Sequence, residues 1–507
     1  MKNFLPGSNV GIGMPSETTS TSRMSLHDGL REPLIRDAPS SSFSASNEHR
    51  RNRNIDFVLL YSFLIFAGRS MWSQTVLSAY IYLLRDGDTE AVGLITAIMG
   101  ISQLVVSFPA GALADRYRRD LLLRASSLVG TAAVVATVLA LRTRSYGLLA
   151  VALATWGCFW GLAYTCVSAL FADSIEDGDR SYWFTRRTIV IKVGGMMGPA
   201  TALVMFAILG DSWTVQECSF VMTCGQCLCM PAILLLCFMS DDHSLSNIDV
   251  GGEDVSTDND LESSSDESNT VAAPPSSGIC FCLSYDRCVP ALVAFADVLG
   301  GIAAGMSIRY FPIFFLNNLQ LGPVIVQVLY ILSPACQIPL SILAQRGAKR
   351  FGRCQMTVGM KWIGVCLFVG VILSYKANLP RWLTCALWIG RTSCINSTSA
   401  LTKSIIMDAV PKSERGKWSA LESLNMFSWS GSAFLGGILV EHWSILFNFS
   451  ITSFLQFVAT LPLLFIMGRV QDEGQLASTD NAGGGERARE VAELDCGNDG
   501  DDRSEAP

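Results

Sequence analysis

The feature that most constrains this chain is a recurrence of long apolar segments separated by short polar connections. A bilayer core about 30 Å thick is crossed by roughly 20 apolar residues at about 1.5 Å rise each. Segments of that length run from Ile55 to Leu84, Glu90 to Ala114, Leu121 to Leu141, Tyr146 to Ala172, Thr188 to Leu209 and Val215 to Met239. After a polar gap come Val289 to Leu316, Gly322 to Ala344, Gln355 to Tyr375, Pro380 to Asp408, Trp418 to Val440 and Trp443 to Gly468. Six plus six such segments predict an all-α membrane protein of twelve transmembrane helices. Composition agrees: 50% of the 507 residues are apolar and 16% are charged, too much apolar surface for water to cover.

The stretches outside these segments are polar. Residues 1–54 are rich in Ser, Asn and Arg, 240–288 carry an acidic, Ser-rich linker, and 469–507 are acidic and Gly-rich. All three are expected to be disordered, flanking two bundles at 55–239 and 289–468. The net charge of −7 comes largely from the last two and so says little about partners; no nucleic-acid partner is expected. No apolar core precedes Ile55, so the first helix is expected to direct insertion. Lys and Arg are concentrated in the even connections (Arg116, Arg118, Arg119, Arg186, Arg350, Arg353, Lys417), against Arg85, Arg142, Arg144, Lys376 and Arg381 on the other side. That asymmetry predicts both termini in the cytoplasm. The membrane is expected to be the plasma membrane or an endomembrane such as the vacuole.

The two halves repeat. Asp173, Arg180 and Trp183 match Asp408, Arg415 and Trp418, since 408 − 173, 415 − 180 and 418 − 183 all give 235. Arg116, Tyr117 and Arg119 recur as Arg350, Phe351 and Arg353 with an offset of 234. Two polar loops repeating at one spacing predict two six-helix pseudo-symmetric bundles related by an axis along the membrane normal.

Between the second and third helices, Gly111, Ala112, Leu113, Ala114, Asp115, Arg116, Tyr117, Arg118 and Arg119 resemble the signature of the major facilitator superfamily. Arg118 stands where that signature has a Gly, and Asp120 where it has a second basic residue. The resemblance covers roughly residues 55 to 468 and implies alternating-access transport of a small solute by a secondary transporter. It further implies that Gly111, Asp115, Arg116, Arg119, Asp173 and Arg180, with Arg350, Arg353, Asp408 and Arg415 in the second half, form a cytoplasmic gate. Gly111 is expected to permit close helix approach, Asp115 to face a helix amino terminus, and Arg116 and Arg119 to pair with acids such as Asp173. Gly194, Gly198 and Pro199 partly match a pattern of proton-coupled antiporters, and small residues at that spacing also give tight helix packing.

Ionisable residues within apolar segments mark substrate or ion pathways, since each is costly unless it faces water or a partner. Arg69, Asp297, Arg391, Lys403 and Glu422 are therefore the candidate substrate or coupling residues. Arg69 is 69 − 55 = 14 residues from Ile55, about 21 Å, and Arg391 is 391 − 380 = 11 residues from Pro380, about 17 Å. Two guanidinium groups nearing the midplane from opposite halves suit a carboxylate, phosphate or sulfate. Two alternatives stand beside this: Arg391 pairs with Asp297, and Arg309 and Lys192 snorkel to the interfaces. Asp297 is the candidate proton-coupling site.

Other chemistries find no support. There is no GxxxxGK[ST] loop, and His27, His49, His243 and His442 lie in polar segments or at a helix end. Neither an enzyme nor a cofactor is expected. Cys224, Cys227 and Cys229 sit in an apolar helix without histidine, as core residues rather than a metal site. The partners expected are a small-molecule solute, a coupling proton and the lipid bilayer, with the protein working as a monomer. The competing function is a transporter-like nutrient sensor or receptor.

Overall fold

A computed structural model describes residues 53–175, 180–241, 285–402, 405 and 415–467. The tails 1–52 and 468–507 and most of the linker lie outside the described residues, as do the side chains of Asp115, Arg116, Arg180, Lys403, Asp408, Arg415 and Glu422. The described residues form one compact unit.

The described residues form twelve long helices. The first half holds α1 (Arg53–Ser73, resumed after a break as Val76–Leu84), α2 (Thr89–Arg116), α3 (Arg119–Thr143), α4 (Tyr146–Asp173), α5 (Arg180–Leu209) and α6 (Val215–Leu235). The second half holds α7 (Tyr285–Ile308, resumed after Tyr310), α8 (Pro323–Phe351), α9 (Arg353–Lys376), α10 (Arg381–Ser397), α11 (Arg415–His442) and α12 (Ile445–Ile466). Ten are long and apolar enough to cross a membrane. The other two, α10 and α11, are diluted by polar residues such as Arg391, Thr392, Ser393 and Asn396 on α10. Large apolar side chains, among them Ile208, Leu128 and Phe465, are exposed, as a surface bathed in lipid tails requires. Helices α5 and α8 run past the expected limits at Thr188 and Ala344, because a hydropathy reading stops where charged residues begin while the helix continues.

The helices start where the polar residues say they should. Asp88 Oδ1 accepts from the Ala91 amide, Ser145 Oγ from Leu148, and Ser444 Oγ from Phe447, each capping an even-numbered helix at one end of the bundle. Asp211, in the α5–α6 connection, caps α8 from the other half by accepting from the Val324 amide at 2.8 Å.

Packing repeats as the sequence does. α1 packs on α5 and α6, and α4 on α2 and α3; correspondingly α7 packs on α11 and α12, and α10 on α8 and α9. The halves meet where α2 lies against α11 and α5 against α8, which is reciprocal under exchange of the halves. The tight turns follow the same register. Asp86 and Gln320 adopt left-handed backbone, as do Arg144 and Asn378; 320 − 86 and 378 − 144 both give 234. Gly352, at φ +95°, lies 234 residues beyond Arg118, which is extended at φ −56°. The signature glycine missing from the first half is thus kept, in the conformation that favours glycine, in the second.

One end of the molecule is fastened between the halves. Thr89 donates through its amide and hydroxyl to Glu441 Oε2 at 3.1 and 2.7 Å. Trp213 Nε1 donates to the Leu321 carbonyl at 2.9 Å, and Gln327 Nε2 to Thr75 Oγ1 at 2.7 Å. Toward the opposite end of α2, a Cβ added at Gly111 would meet nothing within 4 Å among the described residues. α2 meets α11 closely at Gly93 and Gly100, which lie against Ala433, Phe434 and Ser430.

Candidate functional site

Both α1 and α7 break within segments long and apolar enough to cross a membrane, at Gln74–Thr75 and at Arg309–Tyr310. A broken helix leaves backbone groups without their intrahelical partners, and these need polar or charged company. Arg309 supplies it: its Nη1 donates to the Ser73 carbonyl at the end of the first part of α1. A guanidinium there also lies at the negative end of the helix dipole. Snorkelling of Arg309 to the interface is therefore not what the fold shows, since its side chain is buried at 4% exposure between the two breaks.

These breaks frame a cavity of about 500 Å³. Arg69, Arg309 and Arg391 all line it. The described lining adds the hydroxyls of Ser70, Ser73, Ser333 and Thr392, the amides of Gln74, Gln337 and Asn396, and the rings of Phe66, Phe311, Tyr330 and Trp388. No carboxylate stands among the described lining residues. The two arginines singled out from opposite halves thus face one space, together with a third that the sequence had assigned elsewhere.

Aromatic faces hold two of the guanidinium groups. Arg69 lies 4.3 Å from the centroid of Trp160, whose ring stacks on Trp156. Trp156 itself is packing, with its indole N–H on Thr137 Oγ1 at 3.1 Å. Arg391 lies 4.3 Å from the centroid of Phe368 and 5.1 Å from that of Phe311, and its Nη2 reaches Gln456 Oε1 at 3.5 Å. Its Nε is buried without a hydrogen-bond partner among the described residues. Rings fix the plane of a guanidinium and leave its N–H edges to a ligand.

Asp297 does not meet Arg391. It pairs with Lys361 of α9, with Nζ to Oδ1 at 3.6 Å. Lys361 was not singled out, although it satisfies the criterion that picked Asp297, an ionisable residue within an apolar segment. On the first half, Arg119 pairs with Asp173, and its amide donates to Asp241 Oδ2 at 3.2 Å. Asn54 Nδ2 donates to the Ser240 carbonyl at 2.8 Å, so the Asp173 end of the first bundle is stitched together through α1, α3, α4 and α6. Gly194 and Gly198 press α5 against α1, at Phe63 and at Ser70 and Met71. Cys229 is buried against Gly68. Among the described residues no group of three His, Cys, Asp or Glu side chains could hold a metal ion.

A sequence model of the Major Facilitator Superfamily matches residues 58–296. No curated protein matches the sequence significantly. Among solved structures, the fold is similar to that of a bacterial homologue of the iron transporter ferroportin in the inward-facing state. That match has 12% identity, a TM-score of 0.61, and covers 82% of this chain and 99% of that one. It is equally similar to a D-xylose–proton symporter, at 13% identity and a TM-score of 0.61, covering 82% and 97%. A nucleoside transporter follows at 12% identity and 0.55, covering 83% and 100%.

Proposed function

Since the chain belongs to the major facilitator superfamily, a family of multi-pass membrane transporters, we propose that it carries a small anionic solute by alternating access, with Arg69, Arg309 and Arg391 as recognition groups. The observation that carries this reading is the cavity itself: three guanidinium groups and no carboxylate among its described lining. Its volume suits a small organic molecule, and its mixture of hydroxyls, amides and rings suits an anion with an organic body. In this reading the fastened Thr89–Glu441 end is the side closed to the exterior. Both termini are cytoplasmic, and the loops around Asp115, Arg119 and Asp173 and around Arg350, Arg353 and Asp408 form the inner gate. Lys403 and Glu422 belong to the same cytoplasmic half.

The test is thermal denaturation of the purified protein with succinate, inorganic phosphate and sulfate, against glucose and choline. A ligand at about 100 times its Kd stabilises by roughly 2.7 kcal/mol, so at least one anion is expected to raise Tm by several degrees while glucose and choline do not. A response to glucose or choline alone would remove the basis for the reading. A sensor without transport differs by binding the anion and yet giving no uptake in vesicles.

The Asp297–Lys361 pair is read as a structural tie. As a unit it is neutral, and it costs the membrane far less than either ion alone. Asp297→Asn is therefore expected to lower Tm by leaving the ammonium without this carboxylate, and Lys361→Met added to it to restore stability and uptake with an unchanged pH profile. A flattened pH profile in the folded double variant would instead make Asp297 the coupling site for a proton.

A further inference from the structure

The cavity's charges differ in what balances them. Arg309 has the Ser73 carbonyl and the end of a helix. Arg69 and Arg391 have neutral company: the Trp160 face for one, and the Phe368 and Phe311 faces with the Gln456 amide for the other. Neither lies within 4 Å of a carboxylate among the described residues. Ring faces and an amide orient a cation and ease its burial, but they carry no countercharge.

Water can solvate these two guanidinium groups while the cavity is open. Alternating access requires an intermediate closed on both sides, with the site near the midplane, and closing strips that water away. The cost of an arginine at the membrane centre corresponds to a factor of about a hundred or more in population for each uncompensated charge. A bound anion supplies the missing charge at the moment of closure. The Asp297–Lys361 pair brings its own balance and imposes no such requirement.

From this we propose that the protein is an obligatory anion exchanger: the loaded carrier changes sides, the empty one does not, and each inward step is matched by an anion leaving. The inference rests on the anion reading above. It assigns Arg69 and Arg391 a second role, that of forbidding the empty transit.

The experiment uses the full chain reconstituted in liposomes containing sucrose and a zwitterionic buffer, with chloride excluded. Uptake of radiolabelled succinate, inorganic phosphate or sulfate is measured into vesicles preloaded with the same unlabelled anion and into vesicles without it. Uptake into preloaded vesicles is expected to be faster by about tenfold or more. Arg391→Gln, and independently Arg69→Gln, should slow exchange while raising the ratio of uptake into empty vesicles to uptake into loaded ones. Equal rates in loaded and empty vesicles would overturn the exchange inference and leave the anion reading intact. No uptake of any of the three in either set would overturn both. Exchange with the ratio unchanged in whichever arginine variant folds would overturn the assignment of the empty-transit barrier to these charges.

Discussion

Arg391→Lys is expected to weaken binding of a carboxylate or phosphate solute by about ten- to a hundredfold, with Tm of the unliganded protein changed much less. The change keeps the charge and removes what the geometry uses. The Arg391 guanidinium lies near the Phe368 and Phe311 rings, 4.3 and 5.1 Å from their centroids, with Gln456 at one N–H and its Nε turned to no acceptor among the described residues. A lysine ammonium has neither the plane to stack nor the second N–H edge. A charge-assisted hydrogen bond contributes about 1.5–3 kcal/mol, which gives the expected range. Titration calorimetry on the purified variant measures it. The same geometry separates this role from ion pairing with Asp297: because Asp297 faces Lys361, adding Asp297→Asn should not rescue Arg391→Gln. Full rescue by Asp297→Asn would return Arg391 to the role of a structural partner, and unchanged affinity in Arg391→Lys would dismiss the clamp.

What was legible in the sequence followed periodicity and repetition. Length and hydropathy yielded the helices, and the offset of 234 to 235 reappears in the left-handed turns at Asp86 and Gln320 and at Arg144 and Asn378. Depth along a helix was legible too, since rise per residue alone brought Arg69 and Arg391 toward one level, and the cavity contains both. The partners of each charge were not, because partners are a tertiary property. Arg309 was read as an interface residue on the assumption of an unbroken α7. The break after Ile308, and its counterpart in α1 that frees the Ser73 carbonyl, convert that position into a buried one. Pattern marks only one of the two breaks. Pro312, in the first turn of the resumed α7, lacks the amide that would bond the Ile308 carbonyl and crowds it. At the α1 break Gln74 and Thr75 are ordinary helix residues that no proline or glycine flags. Lys361 is an ionisable residue in the apolar run from Gln355 to Tyr375 and so carries the same sequence signal as Asp297. That it, and not Arg391, is the partner of Asp297 is visible only in the placement of α9 beside α7.

Gly198→Val is expected to lower Tm by the equivalent of about 3 kcal/mol or more and to abolish uptake. At this position α5 lies so close to α1 that an added Cβ would clash with Ser70 Oγ, the Met71 amide and the Ala67 carbonyl. Two of these are backbone atoms in a helix and cannot rotate away. Overpacking a well-packed contact costs about 1–3 kcal/mol for smaller insertions, and between membrane helices the contact has no hydrophobic driving force to restore it. Gly198→Ala should show the lesser end of that range. Function should fall faster than stability along the series, because Ser70 adjoins Arg69 and a displaced α1 carries the guanidinium off the Trp160 face. Thermal denaturation with uptake measured on the same preparation resolves the two effects. Gly195 provides the control, since it lines the cavity and a Cβ there would meet nothing within 4 Å; Gly195→Ala should fold normally. If Gly198→Ala has wild-type Tm and loses only its coupling, the glycines of α5 act in the transport cycle. If Tm and uptake fall together, close packing of α5 on α1 accounts for the motif.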